Sequence, residues 1–403
     1  MKAKQISCVG AVLFAFFVQG FCDIVGISSD YAREAFGWSQ TMAGLLPSMV
    51  FVWFLFLGVP IGIRMNQWGR KNTVLVGMLV TVCGMCVPLI GSSWACLVGY
   101  AALGIGNAIL QVSENPLIKN VVTNERVLTS SLTAGQVVKA ISSFCGPFIM
   151  LFAVNVLGGG DTRNWYLAFP VLGAITLLSA LWLLVSPIER EPRQQTSVTL
   201  AGTFRLLTDR TILLLFLGIF FAVAIDVGTN FVSSKIMISR MGWSLAEAGM
   251  APQVYFISRT AGAFLGAFLM TRIDSQTYFR VNMAACIVCI LLLAFVAGSA
   301  QTTLVLIGAV GFLCSCIFPI IYAMALRHQA SKSRNSEGAS AGENLISGLM
   351  ITAVAGGGAA TPLIGWATDA FGTITAGVCV LLACAAYLAC LAFGIKQGKE
   401  ATW

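Results

Sequence analysis

Long apolar runs alternate with short polar stretches along the whole chain. The runs fall at about 6–29, 40–63, 72–91, 94–118, 130–156, 165–186, 211–234, 246–271, 277–298, 302–326, 342–366 and 372–395. They are continuous, without the every-second-residue alternation of a membrane barrel strand. Roughly 20 apolar residues in a helix cross about 30 Å of hydrocarbon. The pattern therefore predicts an all-α integral membrane protein with twelve transmembrane helices and both ends of the chain on one side.

The polar stretches divide the chain further. The longest, about 187–210, contains Glu189-Arg190-Glu191-Pro192-Arg193-Gln194-Gln195. It predicts a six-helix bundle over 1–186, a linker over 187–210 and a second six-helix bundle over 211–403. The two halves repeat each other. Gly37-Trp38-Ser39, Ala43-Gly44 and Pro47 recur 205 residues later as Gly242-Trp243-Ser244, Ala248-Gly249 and Pro252. Trp is favoured at a membrane interface, and Gly and Ala let helices approach closely. The repeat thus predicts two parallel, pseudo-symmetric bundles, the layout of the major facilitator transporters.

Composition narrows the class. Of 403 residues, 58% are hydrophobic and 10% charged, against about 25% charged in a soluble protein. That excludes a disordered chain, a secreted disulfide scaffold and an ordinary cytosolic enzyme. The net charge of +8 does not require nucleic acid. Of the 24 Lys and Arg, 18 fall at the ends of the chain and in the loops on their side. Four (Arg33, Arg163, Lys235 and Arg240) fall on the other side, and Lys139 and Arg259 lie within helices. Cytoplasmic loops are the basic ones, so both termini are expected in the cytoplasm, in a bacterial inner membrane. The 13 cysteines sit mostly inside apolar runs. Cys83-Gly-Met-Cys86 and Cys286-Ile-Val-Cys289 have metal or redox spacing but no His or acid beside them. They are read as lipid-facing packing residues, with no metal and no cofactor. Met1-Lys2-Ala3-Lys4 and the run after it resemble a signal peptide. That run continues through Gln19 and Asp23, so it is read as a retained first helix.

An ionisable group deep in a membrane helix costs about 2.5–3.5 kcal/mol or more, so it faces a cavity or a partner. Six stand out: Asp23, Glu114, Lys139, Asp226, Arg259 and Glu343. Four acids against two bases leave acids without a basic partner, and an acid of that kind in a low-dielectric cavity is suited to carrying a proton. Asp23 and Glu114 are the proton-coupling candidates. Helical spacing groups further polar residues into stripes. Gln19, Asp23, Gly26 and Asp30 share a face of helix one. Asn107, Gln111 and Glu114 do so on helix four, with Asn115 flanking. Gln136, Lys139 and Ser143 share a face of helix five, and Asp226 and Asn230 one of helix seven. Amides offer two donors and two acceptors, which suits a ligand rich in hydroxyls; the same stripes also serve as interhelical contacts. Lys139 has two readings, a pair with Glu114 or a contact to an anionic substrate such as an acidic sugar. Arg259 is expected to pair with Asp226, and Glu343 is grouped with it as an ion-pair candidate.

Gly62-Ile-Arg-Met-Asn66-Gln-Trp-Gly69-Arg70-Lys71 resembles the facilitator loop signature G-x-x-x-D-x-x-G-R-[RK], with Asn66 in place of the Asp. The resemblance implies that Asn66 and Arg70 belong to a conformational latch, weakened in charge by the Asn.

Other motifs sharpen the likeness. Gln111-Val-Ser-Glu114-Asn115-Pro116 resembles [E/Q]-x-A-x-N-P. Gly311-Phe-Leu-Cys-Ser315-Cys-Ile-Phe318-Pro319-Ile-Ile resembles G-x-x-x-S-[IC]-x-F-P-x-I. Gly356-Gly357-Gly358-Ala-Ala-Thr-Pro362-Leu-Ile-Gly365 followed by Asp369 resembles G-G-x-x-x-P-x-x-G-x-x-x-D. Together with the acid-bearing first helix and Gln136 after Gly135, these resemble the fucose/proton symporter family of the major facilitator superfamily over most of the chain. The resemblance implies uptake of a hexose or 6-deoxyhexose with a proton, with Asp23 coupling the two and Gln136 and Asn115 binding hydroxyls. Gln111 stands where the fucose carrier has a titrating Glu, and Glu114 is the candidate replacement.

The expected function is proton-coupled monosaccharide uptake by alternating access, carried out by a monomer in the lipid bilayer, and not enzyme catalysis. A drug/proton antiporter of the same fold and a non-transporting membrane sensor are the alternatives.

Overall fold

The computed structural model describes residues 3–121, 125–190, 200–270, 272–333, 346 and 348–394; a few helical side chains within these spans, Asn66 and Gln136 among them, lie outside the description. Among the described residues, eleven helices are long and apolar enough to cross a bilayer. They are α1 (Gln5–Phe36), α2 (Gln40–Met65), α3 (Arg70–Ile90), α4 (Ser93–Ile118), α5 (Val137–Leu157), α6 (Thr162–Val185), α7 (Arg210–Met241), α9 (Ser275–Phe295), α10 (Ala300–Gln329), α11 (Gly348–Phe371) and α12 (Ile374–Gly394). The twelfth, α8 (Met250–Leu269), has the length of a span but carries Gln253, Ser258, Arg259 and Thr260.

The repeated motif builds the same device twice. Gly37 and Gly242 end α1 and α7 at φ 66° and 68°, a left-handed conformation that favours glycine. Ser39 Oγ then accepts from Met42 N at 3.2 Å. Ser244 and Glu247 cap each other's backbone ahead of α8.

Several helices outrun their apolar runs. Helix α1 continues past 29 to Phe36 and α7 past 234 to Met241. The charges that marked those ends are neutralised inside the protein. Lys235 is 3% exposed and Asp30 1% exposed, and their side chains pair at 2.7 Å. Lys235 is therefore a buried charge, not one of the four loop residues expected on the second side. Arg240 donates to Leu293 O at 2.6 Å and Ala294 O at 2.8 Å, closing the end of α9. His328, two residues past the tenth apolar run, lies within α10, 3.0 Å from Asp209.

The bundles meet tightly towards the face opposite the chain termini, here the far face. Asp369 on α11 accepts from Gln40 N at 3.0 Å and Thr41 N at 2.7 Å at the start of α2, where the helix dipole favours an anion. Deeper, Thr361 Oγ1 donates to Gly44 O at 2.9 Å, and Ser48 Oγ donates to Gly358 O. A Cβ on Gly44 would lie 2.5 Å from Thr361 O, so only glycine permits this approach. Asp30–Lys235 and a bond from Asn230 Nδ2 to Asp23 O at 3.1 Å join α1 to α7. Gly249, ahead of α8, packs on Pro147 of α5. These contacts close the far half of the interface between the bundles.

The terminal face is organised by the loop signature. Arg70 donates to Pro116 O at 3.1 Å and Asn120 Oδ1 at 2.7 Å, near the end of α4. Lys71 donates to Leu184 O at 2.9 Å and Ser186 O at 2.8 Å, at the end of α6. Both cations satisfy carbonyls at helix C-termini.

Candidate functional site

Below the closed contacts lies a central cavity of about 580 Å³, within the roughly 300–1,000 Å³ typical of small-molecule sites. Seven of the sequence-derived candidates line it: Asp23, Asn107, Gln111, Asn115, Lys139, Asp226 and Arg259. Phe51, Thr260, Phe264, Ser315, Phe318 and Tyr322 complete much of the wall. Both bundles contribute.

Asp23 is placed by a break in its helix. Residues Gly20–Ile24 of α1 form a 3-10 segment, and broken helices at membrane depth commonly mark ligand sites. The break lies where α1 and α5 touch, since a Cβ on Gly20 would lie 2.5 Å from Lys139 O. Ser143 Oγ donates to Asp23 Oδ2 at 2.6 Å. Among the described residues no Lys or Arg is within ion-pair distance of Asp23.

The α4 stripe differs in one respect from its expected form. Asn107, Gln111 and Asn115 are four residues apart and face the cavity. Glu114, three residues beyond Gln111, is turned about 60° from it by helix geometry. Glu114 is fully buried and does not line the cavity. Neither carboxylate oxygen has a hydrogen-bond partner among the described residues. The Lys139–Glu114 pair, one of the two readings of Lys139, is absent; Lys139 Nζ reaches Gln111 Oε1 at 3.4 Å. Gln19 lies behind this wall, 3% exposed, and donates to Gln111 Oε1 at 2.8 Å. Asn107 is 3% exposed, and both atoms of its amide lack a partner among the described residues.

On the other bundle, Arg259 Nη2 lies 2.7 Å from Asp226 Oδ2, and Tyr255 donates to Asp226 Oδ1 at 2.5 Å. Asn230 does not line the cavity; it is spent on the α1–α7 contact. Arg70 does not line the cavity; it bonds Pro116 O and Asn120 Oδ1 at the terminal face. Glu343 and the side chains of Asn66 and Gln136 lie outside the described residues.

The chain matches the Major Facilitator Superfamily over residues 9–342. It belongs to that superfamily. It is accordingly a multi-pass membrane transporter and not an enzyme. Relatives of this facilitator agree with its motif resemblance. It is 25% identical over 392 residues to the glucose/galactose transporter of Brucella abortus (strain 2308), covering 93% of this chain and 90% of that one. Its fold matches the E. coli fucose:proton symporter FucP at a TM-score of 0.67 and 18% identity, over 98% of this chain and 100% of the other. The nucleoside transporter NupG matches at 0.71 and 14%, over 97% and 98%. At these identities the structural matches speak for the fold alone.

In this facilitator, sequence reading missed Thr260 and Tyr322 in the cavity wall, and Tyr255, which is buried off the wall and holds Asp226. Tyr255 stands one turn before Arg259 and beside Phe256, and an aromatic pair in an apolar run gives no signal. Ser315 and Phe318 were visible only inside a family motif. The thiols also rearrange: Cys286 is buried, with its sulfur 3.4 Å from Cys314 Sγ, while Cys83 and Cys86 are exposed. No cluster of three or more metal-ligating side chains occurs among the described residues.

Proposed function

We propose that this facilitator takes up a monosaccharide together with a proton. The observation that carries the reading is the cavity wall, where Asp23 stands at a helix break beside an amide stripe of Asn107, Gln111 and Asn115. Amides pair with hydroxyls in both directions. The aromatic rings of Phe51, Phe318 and Tyr322 supply the apolar surface that a sugar ring face packs on. The curated relatives named for glucose and galactose transport support the same substrate class.

Asp23 carries the proton in this reading. Its carboxyl faces the cavity, is held by Ser143 and has no Lys or Arg within ion-pair distance among the described residues. Glu114, buried off the cavity wall, is a second candidate. Coupling proceeds by alternating access. The 1–186 bundle rocks against the 211–403 bundle, joined by 187–210. In the arrangement described, the far half is closed, and Asn107 to Asn115 lead about 12 Å towards the terminal face by helix rise. The Lys and Arg distribution supports termini in the cytoplasm and a bacterial inner membrane. The far-face contacts are then the external gate and the cavity opens inward. A monomer suffices for this cycle.

Counterflow of labelled glucose, galactose and fucose in proteoliposomes tests the reading. Exchange of any of them supports it. Failure of all sugars, with proton-driven export of lipophilic cations, would assign the fold to drug antiport instead.

A further inference from the structure

Among the described residues the cavity wall holds four Asp, Lys or Arg side chains, and their pairing is uneven. Asp226 and Arg259 form an ion pair at 2.7 Å, and Tyr255 occupies the second oxygen of Asp226. Asp23 and Lys139 are not paired with each other or with any other charge among the described residues. Asp23 is engaged by the Ser143 hydroxyl. Among the described residues Lys139 has only Gln111 Oε1, at a long 3.4 Å. That oxygen already accepts from Gln19 at 2.8 Å. An ammonium has three donors, so Lys139 directs a nearly unspent charge at the cavity. Glu114 is not within ion-pair reach of it. Asn107, one turn from Gln111 on the same face, has neither amide atom bonded.

Charge balance then constrains the ligand. With Asp23 ionised, two anions and two cations sum to zero. With Asp23 protonated, as the proposed coupling requires, the wall carries one net positive charge, centred on Lys139. An uncompensated cation in a membrane cavity is costly. One carboxylate on the substrate removes that cost. Arg259 offers a second cationic edge, since its side chain is 38% exposed despite its bond to Asp226. Asn107, Gln111 and Asn115 remain for hydroxyls.

We infer that the preferred substrate is a sugar acid, a uronate or aldonate whose carboxylate docks on Lys139 while its hydroxyls meet the α4 amides. This rests on the reading of the protein as a proton-coupled sugar transporter and narrows it. One proton and one monoanion cross together, so no net charge moves. Uptake follows the pH gradient and is indifferent to membrane potential.

The test uses the purified full chain and measures binding of D-glucuronate, D-galacturonate and D-gluconate beside D-glucose, D-galactose and acetate. The acids are expected to bind about tenfold or more tighter than the neutral sugars, because a charge-assisted contact is added. Acetate should fail to compete at matched concentration. Lys139→Met should bring the acid-to-neutral affinity ratio close to one, and Lys139→Arg should retain a preference for acids. In proteoliposomes, glucuronate uptake driven by a pH gradient should not change when a potassium diffusion potential is imposed. Neutral sugars binding as well as the acids would overturn the inference and leave sugar transport standing. So would uronate uptake that rises with an interior-negative potential. Binding of no sugar, acidic or neutral, would overturn both. Acetate competing as well as glucuronate would make the site a simple anion site and overturn the sugar-acid assignment. The wild-type comparison decides the matter even where Lys139→Met fails to fold.

Discussion

Lys235 Nζ lies 2.7 Å from Asp30 Oδ1, with both side chains almost wholly buried between α1 and α7. Ser29 accepts from the same ammonium at 2.9 Å, Ser234 donates to the other carboxylate oxygen at 2.5 Å, and the Phe231 ring lies 3.8 Å from the ammonium. Removing one partner leaves the other charge buried and unpaired, which costs about 3–5 kcal/mol. Asp30→Asn and Lys235→Met should each open the far face. A cysteine introduced at Ala32 in a cysteine-free background should then react faster with an impermeant maleimide from that side. The double variant should recover much of the loss in a double-mutant cycle. Additive effects of the two single changes would show that the pair does not act as a unit.

Closure of α2 on α11 depends on the absence of a side chain at Gly44, where an added Cβ would meet Thr361 O at 2.5 Å. The obstacle is backbone, which cannot turn aside. Gly44→Val should hold the far face open and lower transport by about tenfold or more, the effect of roughly 1.4 kcal/mol on the closed state. Sugar binding from the far side should persist. The comparison of transport with binding checks this, and full transport would show that α2 and α11 need not approach so closely.

Asn107 is held with an unbonded amide in the cavity wall. A hydrogen bond from that amide to a sugar hydroxyl is worth about 1 kcal/mol, or close to fivefold in affinity. Asn107→Ala should weaken sugar binding by about that factor, measured by calorimetry. Stability should change little, because the amide bonds to no described protein group. Unaltered affinity would place Asn107 outside the substrate's reach.

The fold was largely legible because its determinants are local. Twelve apolar runs and a glycine–tryptophan–serine device repeated at 205 residues depend on hydrophobicity and cap chemistry, both written in the immediate sequence. Helix ends were less legible. Asp30 and Lys235 look like polar ends of α1 and α7 until the distant partner of each is known, and 204 residues separate Asp30 from the Ser234 hydroxyl that it also engages. The candidate site was half legible for a similar reason. The stripe read on helix four held Asn107, Gln111 and Glu114 with Asn115 flanking, and the wall takes Asn107, Gln111 and Asn115. The three-residue step to Glu114 turned it out of the wall, and Tyr255 gave no sequence sign that it would hold Asp226.

Asp226 and Arg259 neutralise each other at the cavity edge. Asp226→Asn leaves the arginine charge in place and should destabilise the protein more than the paired change Asp226→Asn/Arg259→Gln does. Thermal unfolding in detergent reads the difference directly. Equal loss in the single and paired variants would indicate that the two act separately.

The central claim is that sugar and proton move together through Asp23. The most direct measurement is the internal pH of proteoliposomes when sugar is added outside, recorded with a trapped pH dye. The account predicts sugar-dependent internal acidification in the wild type. In Asp23→Asn the acidification should vanish while sugar counterflow continues. Acidification that survives in Asp23→Asn, or wild-type sugar uptake with no proton movement, would contradict it.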